Sequence, residues 1–338
     1  MSATNRRRFL ISGSISAIAA PFILTRNASA ADFTYKLGHD YSVDHPNGTR
    51  TVEAAQKIRE RTSGRLDIQI FPNSQLGSGT EMLTPVRSGG VEFFMFTSVQ
   101  LGNIAPGAAV SGIGFAFPEY DRAWKAMDGA LGARMHADIA KAGVVPMRNV
   151  WEIGFRNVST NIKAINTAAD LAGLKIRVAV SPLYVSLWKA LGAAPTSMNF
   201  AELYSALQTK LVNGADVPIN VMLTQNLFEV TNYLSLTNHM WDGVWIVANP
   251  AAWQRLPESM REIVEEEFNA AALRGRQDIL KSESNDVETL KSKGLKINKA
   301  DASTFRTKLQ QAGFYKEWKS KFNPELWKAL EDAAGGLT

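Results

Sequence analysis

The chain has 338 residues, of which 45% are hydrophobic and 20% charged, with a formal charge of +5 and no cysteine. The missing cysteines exclude disulfides, thiolate metal sites and a lipid-anchoring Cys behind a signal peptide. Four arginines and no acidic residue fall in the first 30 positions, so the remainder carries 33 basic against 32 acidic groups, and no strong electrostatic case for nucleic acid remains.

That first segment reads as a secretory signal. Asn5-Arg6-Arg7-Arg8-Phe9-Leu10 precedes an apolar stretch from Ile11 to Leu24, and Ala28-Ser29-Ala30 supplies small residues for cleavage. The paired arginines before Phe9-Leu10 point to the twin-arginine route, which exports folded proteins. Ser12, Ser14, Ser16 and Pro21 interrupt the run, which is too short to cross a bilayer. Cleavage after Ala30 is expected to release a freely diffusing protein of about 308 residues into the periplasm, enough for two domains.

Beyond the signal, short segments read as strands: Tyr35 to His39, Leu66 to Phe71, Val91 to Phe96, Val144 to Val150, Leu174 to Val178 and Val244 to Val247. Helical periods lie between them. Val52, Ala55 and Ile58 before Gly64 form one apolar face, and Leu203, Leu207 and Leu211 before Gly214 form another. Strands alternating with helices through most of the chain predict an α/β fold. From Pro257-Glu258 to Lys293-Gly294 the sequence opens and closes as one helix should. At about 1.5 Å per residue its roughly 36 residues reach about 54 Å, longer than one domain is wide. Without a sustained heptad it reads as a strut across two lobes rather than a coiled-coil arm.

Five ordered motifs carry a family resemblance over essentially the whole mature chain. They are Phe71-Pro72-Asn73-Ser74-Gln75-Leu76-Gly77, Gly154-Phe155-Arg156 with Thr160-Asn161, Leu171 to Val178, Pro195-Thr196, and Asn199-Phe200-Ala201-Glu202-Leu203 running on to Thr209. The chain resembles the DctP-type substrate-binding proteins of tripartite ATP-independent periplasmic (TRAP) transporters. The resemblance implies a two-lobed periplasmic-binding-protein fold with hinge strands and a long lobe-spanning helix. Residues 31–153 and 243–282 would form lobe one, and 154–242 and 283–338 lobe two. It implies capture of a small-molecule carboxylate and delivery to TRAP membrane permease subunits, with no cofactor and no enzymatic activity.

The resemblance also assigns residues. From alternation alone Arg177, opposite Leu174, Ile176 and Val178, would be a surface charge. By resemblance it grips the ligand carboxylate, a task its planar fork suits. Arg156 is the second ligand group, against a reading as an interlobe salt bridge, and Phe200 lines the pocket, against ordinary core packing. Many relatives read Gly-Gln-Glu-Asn-Pro where this chain reads Gly214-Ala215-Asp216-Val217-Pro218, so Val217 replaces a polar hand with an apolar wall. Asp216 keeps the acidic character of its position and is expected to orient Arg177 when no ligand is bound. Trp151, Trp241, Trp245, Phe96 and Tyr41 near these motifs would give the pocket an apolar or aromatic lining. His39 is placed at the cleft, while the four histidines lack helical ligand spacing or an HExxH motif, so no metal site is expected. Two rival functions share these features: an exported solute sensor needs the same two-lobed binder, and a twin-arginine-exported enzyme would fit the signal. No GxGxxG, GxSxG or P-loop supports the enzyme.

Overall fold

A computed structural model describes residues 31–337, so the expected signal peptide lies outside the described residues. The strands, in chain order, are β1 (Phe33–Gly38), β2 (Leu66–Phe71), β3 (Phe93–Thr97), β4 (Val145–Pro146), β5 (Phe155–Thr160), β6 (Lys175–Val178), β7 (Ala194–Ser197), β8 (Gly214–Pro218), β9 (Tyr233–Trp241), β10 (Val244–Ala248) and β11 (Lys296–Lys299). They form two sheets, ordered β2-β1-β3-β10-β4 and β11-β9-β5-β8-β6-β7. In the first sheet β1 runs parallel to β2 and β3 while β10 enters antiparallel beside β3. In the second, β5 lies antiparallel to β8 and β9, and β6 runs parallel to β7 and β8. Each sheet is the centre of one lobe of an α/β fold.

The chain crosses between the sheets twice at adjacent points. The first passage leads through Trp151–Gly154 into β5, and the second through Trp241–Val244 into β10. Trp151 and Val244 exchange both backbone hydrogen bonds, at 2.8 and 3.0 Å, so the passages run side by side as a paired hinge. Gly154 takes φ +92 there, a left-handed backbone that a side chain resists. Glu152 is buried beneath the hinge and accepts from the indole N–H groups of Trp124 and Trp241, at 2.7 Å each, and from Gly154 N. A buried carboxylate with that many donors anchors the backbone where it turns.

The third connection is the helix Glu258–Ser292, 35 residues long, within a residue or two of the sequence expectation. At about 1.5 Å per residue it extends about 52 Å. It packs on the helix Pro46–Arg61 of the first lobe and on the helix Ile219–Thr224 and β11 of the second. The seam is apolar where it is buried, through Met260, Val264, Phe268, Ala271, Ala272 and Ile279. Arg276 is fixed by Asp128 and by the carbonyl of Val150, tying the strut to the hinge entrance.

Some expectations need correction. Val52 faces solvent (46% exposed), and Thr51, Ala54, Ala55 and Ile58 form the buried face of the helix Pro46–Arg61. Leu211 is also exposed, because the helix Leu203–Gln208 ends early and Lys210 turns the chain with φ +61. The expected strand from Val144 to Val150 shortens to two residues. The C-terminal helix Pro324–Ala334 lies against the helices Tyr120–Met127 and Ala130–Lys141, on the first-lobe side, although it belongs to the segment expected in lobe two.

Candidate functional site

Arg177 stands near the C-terminal end of β6, paired with Ala215 of β8. The neighbours Ile176 and Val178 face the core, and Lys175 is exposed, as alternation requires. Arg177 is nevertheless 2% exposed, because its side chain enters the space between the lobes instead of solvent. Its Nε and Nη2 both donate to one backbone acceptor, the carbonyl of Met198, at 3.2 and 2.9 Å. The guanidinium also sits 5.6 Å from the centre of the Phe200 ring. Burial and the like charge of Arg156 push its pKa down to about 10.

Arg156 lies on β5, paired with Pro218 of β8. It bonds the side chain and the backbone carbonyl of Asp216 and stacks on Tyr184 at 5.1 Å. Burial alone would neutralise such a pair. The arginine holds Asp216 well below the usual carboxylate range, with His239 helping from 3.3 Å, and Trp188 Nε1 donates to the same carboxylate at 3.1 Å. His239 reaches Asp216 because β9 bulges: pairing with β5 jumps from Arg156↔Met240 to Val158↔Ser235, and Asn157 Oδ1 caps the bulge through Asn238 N. Thus Asp216 orients Arg156, not Arg177. Its carboxylate points away from the cavity.

The first lobe supplies the opposite wall. Asp40 and Tyr41 follow β1, while Thr97 and Gln100 form a capping box after β3, Thr97 Oγ1 accepting from Gln100 N and Gln100 Oε1 from Thr97 N. The Phe71–Gly77 turn explains how Asp40 is placed. Asn73 and Ser74 are both left-handed, Asn73 N bonds the carbonyl of Tyr41 and Ser74 N that of His39, and the Ser74 hydroxyl donates to Asp40 Oδ1 at 2.7 Å.

These walls close on a cavity of about 40 Å³ lined by Asp40, Tyr41, Thr97, Gln100, Ile153, Arg156, Arg177, Ala179, Phe200, Val217, Pro218 and Val221. The structure therefore brings together Arg177, Arg156, Phe200, Val217 and Tyr41 from the sequence expectation. It does not place the others there. Trp151 is buried in the first-lobe core, Trp241 serves the hinge through Glu152, and Phe96 packs on Phe94 at 4.6 Å inside the first lobe. His39 is fully buried behind Tyr41, bonded to Thr51 at 3.3 Å. Trp245, likewise, donates to Ser98 within the core. Aromatic residues near a motif mostly satisfy core packing, which sequence proximity cannot distinguish from lining. Asp40, Gln100, Ile153 and Val221 were not anticipated. Thr97-x-x-Gln100 was recognisable as a cap, but nothing local showed that the cap faces a cleft.

Two α/β lobes joined by paired crossings and a strut, shut on a small cavity with two guanidinium groups, define a two-lobed solute-binding protein. The family model described as "Bacterial extracellular solute-binding protein, family 7" (DctP) matches residues 37–321, and the chain belongs to that family. It is similar to the 2,3-diketo-L-gulonate-binding periplasmic protein YiaO of Escherichia coli, at 28% identity over 80% of this chain and 82% of that one. Among solved structures it resembles a TRAP periplasmic solute-binding protein from Polaromonas bound to D-erythronate, with TM-score 0.85, 29% identity and coverage of 88% and 98%. A second, from Sulfurospirillum deleyianum with bound succinate, gives TM-score 0.84 and 26% identity over 89% and 99%.

Proposed function

We propose that this solute-binding protein captures a small organic acid in the periplasm, holds its carboxylate on Arg177 with Arg156 alongside, and delivers it to TRAP permease subunits. The observation that carries this reading is the unequal pairing of the two arginines. Arg156 has its counter-ion in Asp216, whereas Arg177 makes no ion pair within 4.0 Å among the described residues and spends two donors on a single carbonyl. An anion between the two guanidinium groups would relieve their mutual repulsion. The relatives bound to erythronate and succinate support a carboxylate as that anion. Periplasmic relatives, together with the signal in residues 1–30, support the location. The packing of the helix Pro324–Ala334 on Tyr120–Met127 and Ala130–Lys141 supports lobes of 31–153 with 243–282 and 324–337, against 154–242 with 283–323.

Charge-assisted hydrogen bonds contribute roughly 1.5–3 kcal/mol each, and micromolar affinity needs about 8 kcal/mol. Closure and the apolar wall of Ile153, Val217 and Val221 therefore have to supply the remainder. The test is calorimetric titration with the solute released from purified, denatured protein. Arg177→Ala is expected to weaken binding at least about a hundredfold, the loss of two such bonds at about 1.4 kcal/mol per tenfold. Arg177→Lys is expected to lose much of the affinity too, since ammonium lacks the planar fork. Unchanged affinity in Arg177→Ala would remove the anchor, and a neutral solute would remove the organic-acid reading.

A further inference from the structure

Asp40 is an acidic residue in a pocket argued to hold an acid, and that reading does not account for it. It is 9% exposed, lines the same cavity as Arg177, and is held in place from behind. Its Oδ1 accepts from Ser74 Oγ at 2.7 Å and Gly79 N at 3.2 Å. Gly79 permits this by taking φ +48, with the position of a Cβ lying only 2.7 Å from Gln100 Nε2. A carboxylate has about four lone-pair sites, so accepting capacity remains on the side facing the cavity. Among the described residues no lining side chain hydrogen-bonds it: Arg156 is committed to Asp216 and Arg177 donates to Met198 O, although the charge of Arg177 acts on Asp40. Of the other polar liners, the Gln100 oxygen is taken by Thr97 N and Thr97 Oγ1 by Gln100 N, so neither is as free as Asp40 to accept from a solute.

We infer that Asp40 determines specificity by accepting a hydrogen bond from the solute, so that the solute is a carboxylic acid bearing an O–H or N–H donor and not a simple carboxylic acid. The inference rests on the proposed anchoring of the carboxylate by Arg177. Its physical basis is the balance of charge and lone pairs in the cleft between the lobes. Burial pushes the pKa of Asp40 up, while Ser74, Gly79 N, Ser78 and the charge of Arg177 oppose the rise. With Asp40 ionised, a donor-free carboxylate brought onto Arg177 would leave its lone pairs dehydrated and unmatched beside a second anion, a penalty of the kind that makes polar sites reject analogues lacking their donor. A hydroxyl satisfies those lone pairs, and an ammonium group satisfies them and balances the charge. Ile153, Val217 and Val221 leave an apolar wall for the rest of the molecule.

The test uses ligand-stripped mature protein and matched acids of one carbon skeleton: 2-hydroxy-3-methylbutanoate, valine and 3-methylbutanoate, then phenyllactate, phenylalanine and 3-phenylpropanoate. Calorimetry is expected to show the best donor-bearing acid of a skeleton binding at least about tenfold tighter than its donor-free partner. The hydroxy and amino arms tell the two donors apart. Asp40→Asn keeps an oxygen for Ser74 and Gly79 while its NH₂ replaces the accepting side, so the fold is retained and the preference is expected to collapse or invert. A donor-free acid binding as tightly as its hydroxy and amino partners, or an undiminished preference in Asp40→Asn, would overturn the inference and leave the carboxylate reading standing. Failure of all six acids to bind would count against both.

Discussion

Among the buried residues around the pocket, Asp242 behaves differently from Asp216. Asp216 has an arginine, a histidine and an indole, and stays ionised. Asp242 has the hydroxyl of Tyr184 at 3.0 Å and the backbone N–H of Val99, with no counter-ion as close as that of Asp216 among the described residues. Burial raises its pKa to about 7, with Arg156 opposing the rise. In the unfolded chain the group titrates near 3.8, so between that value and about 7 the folded state binds the extra proton. Its contribution to stability is fully present below about pH 4 and is lost as pH rises through about 7. Asp242→Asn keeps an oxygen for Tyr184 and removes the titration. Denaturant unfolding of both proteins at pH 4, 6 and 8 is expected to show the variant gaining on the parent with rising pH, by a few kcal/mol at about 1.4 kcal/mol per pKa unit. A stability difference that stays flat across that range would mean Asp242 is ionised throughout. The same neighbourhood shows what single residues disclose in sequence. Arg177 and Arg156 stood out because a motif surrounds each, whereas Asp40 has no such flag and its role depends on a turn over thirty residues away.

At the scale of elements, the long helix was legible because its signals are local: proline and acid at the start, lysine and glycine at the end, and no breaker strong enough between. Strands β5, β8 and β9 were less so. Phe155–Thr160 is buried on both faces though four of its six residues are polar, its Asn157, Ser159 and Thr160 being satisfied by neighbours rather than water. Gly214–Pro218 begins and ends on residues that usually mark turns, and only pairing on both sides makes it a strand. One cap has a testable consequence. His45 Nδ1 accepts from Asn47 N at the start of the helix Pro46–Arg61, which leaves Nε2–H to donate to Asn220 Oδ1 of the second lobe at 3.3 Å. Asn220 in turn donates to Ile153 O in the hinge. Burial lowers the pKa of His45 to about 3, and that of His39 to about 4. The unfolded histidines titrate near 6.5, so on acidification the unfolded chain takes up protons first, and stability falls as pH drops from about 6.5 towards those values. Protonating His45 Nδ1 would also remove the cap acceptor. His45→Asn retains a good N-cap but not the titration or the reach to Asn220. Melting curves from pH 7 to 5 are expected to show a lower Tm at pH 7 and a shallower acid slope than in the parent. An equally steep slope would assign the acid sensitivity to His39 or elsewhere.

Across the whole molecule, the lobes meet at a hinge that is covalent and permanent and at a mouth that is neither. The mouth contacts are few and neutral: Thr80 Oγ1 donates to Asn199 Oδ1 at 3.3 Å, Ala201 N to Ser78 Oγ at 3.3 Å, and Asn103 Nδ2 to Val180 O at 2.9 Å. Behind them lies the cavity of about 40 Å³, so opening these contacts widens the way in and out for a solute. Lobe closure about a few hinge residues is the motion this architecture allows. Each mouth hydrogen bond contributes roughly 0.5–1.5 kcal/mol, small enough to open readily yet large enough to hold a loaded cleft longer. Ser78 also touches Asp40, so Thr80→Val is the cleaner probe, since Thr80 bears only on Asn199 beside Phe200. Thr80 and Asn199 pair across the mouth of the closed form, so if the solute enters the open form their bond should leave entry unchanged and slow escape. Stopped-flow measurements are expected to show an unchanged association rate and a dissociation rate raised about two- to tenfold, the equivalent of that one bond at about 1.4 kcal/mol per tenfold. Small-angle scattering of the stripped parent should show a radius of gyration that falls on saturation with solute. A Thr80→Val protein that loses association rate while keeping its dissociation rate would mean the mouth is already shut when the solute arrives, and an unchanged scattering profile would point the same way.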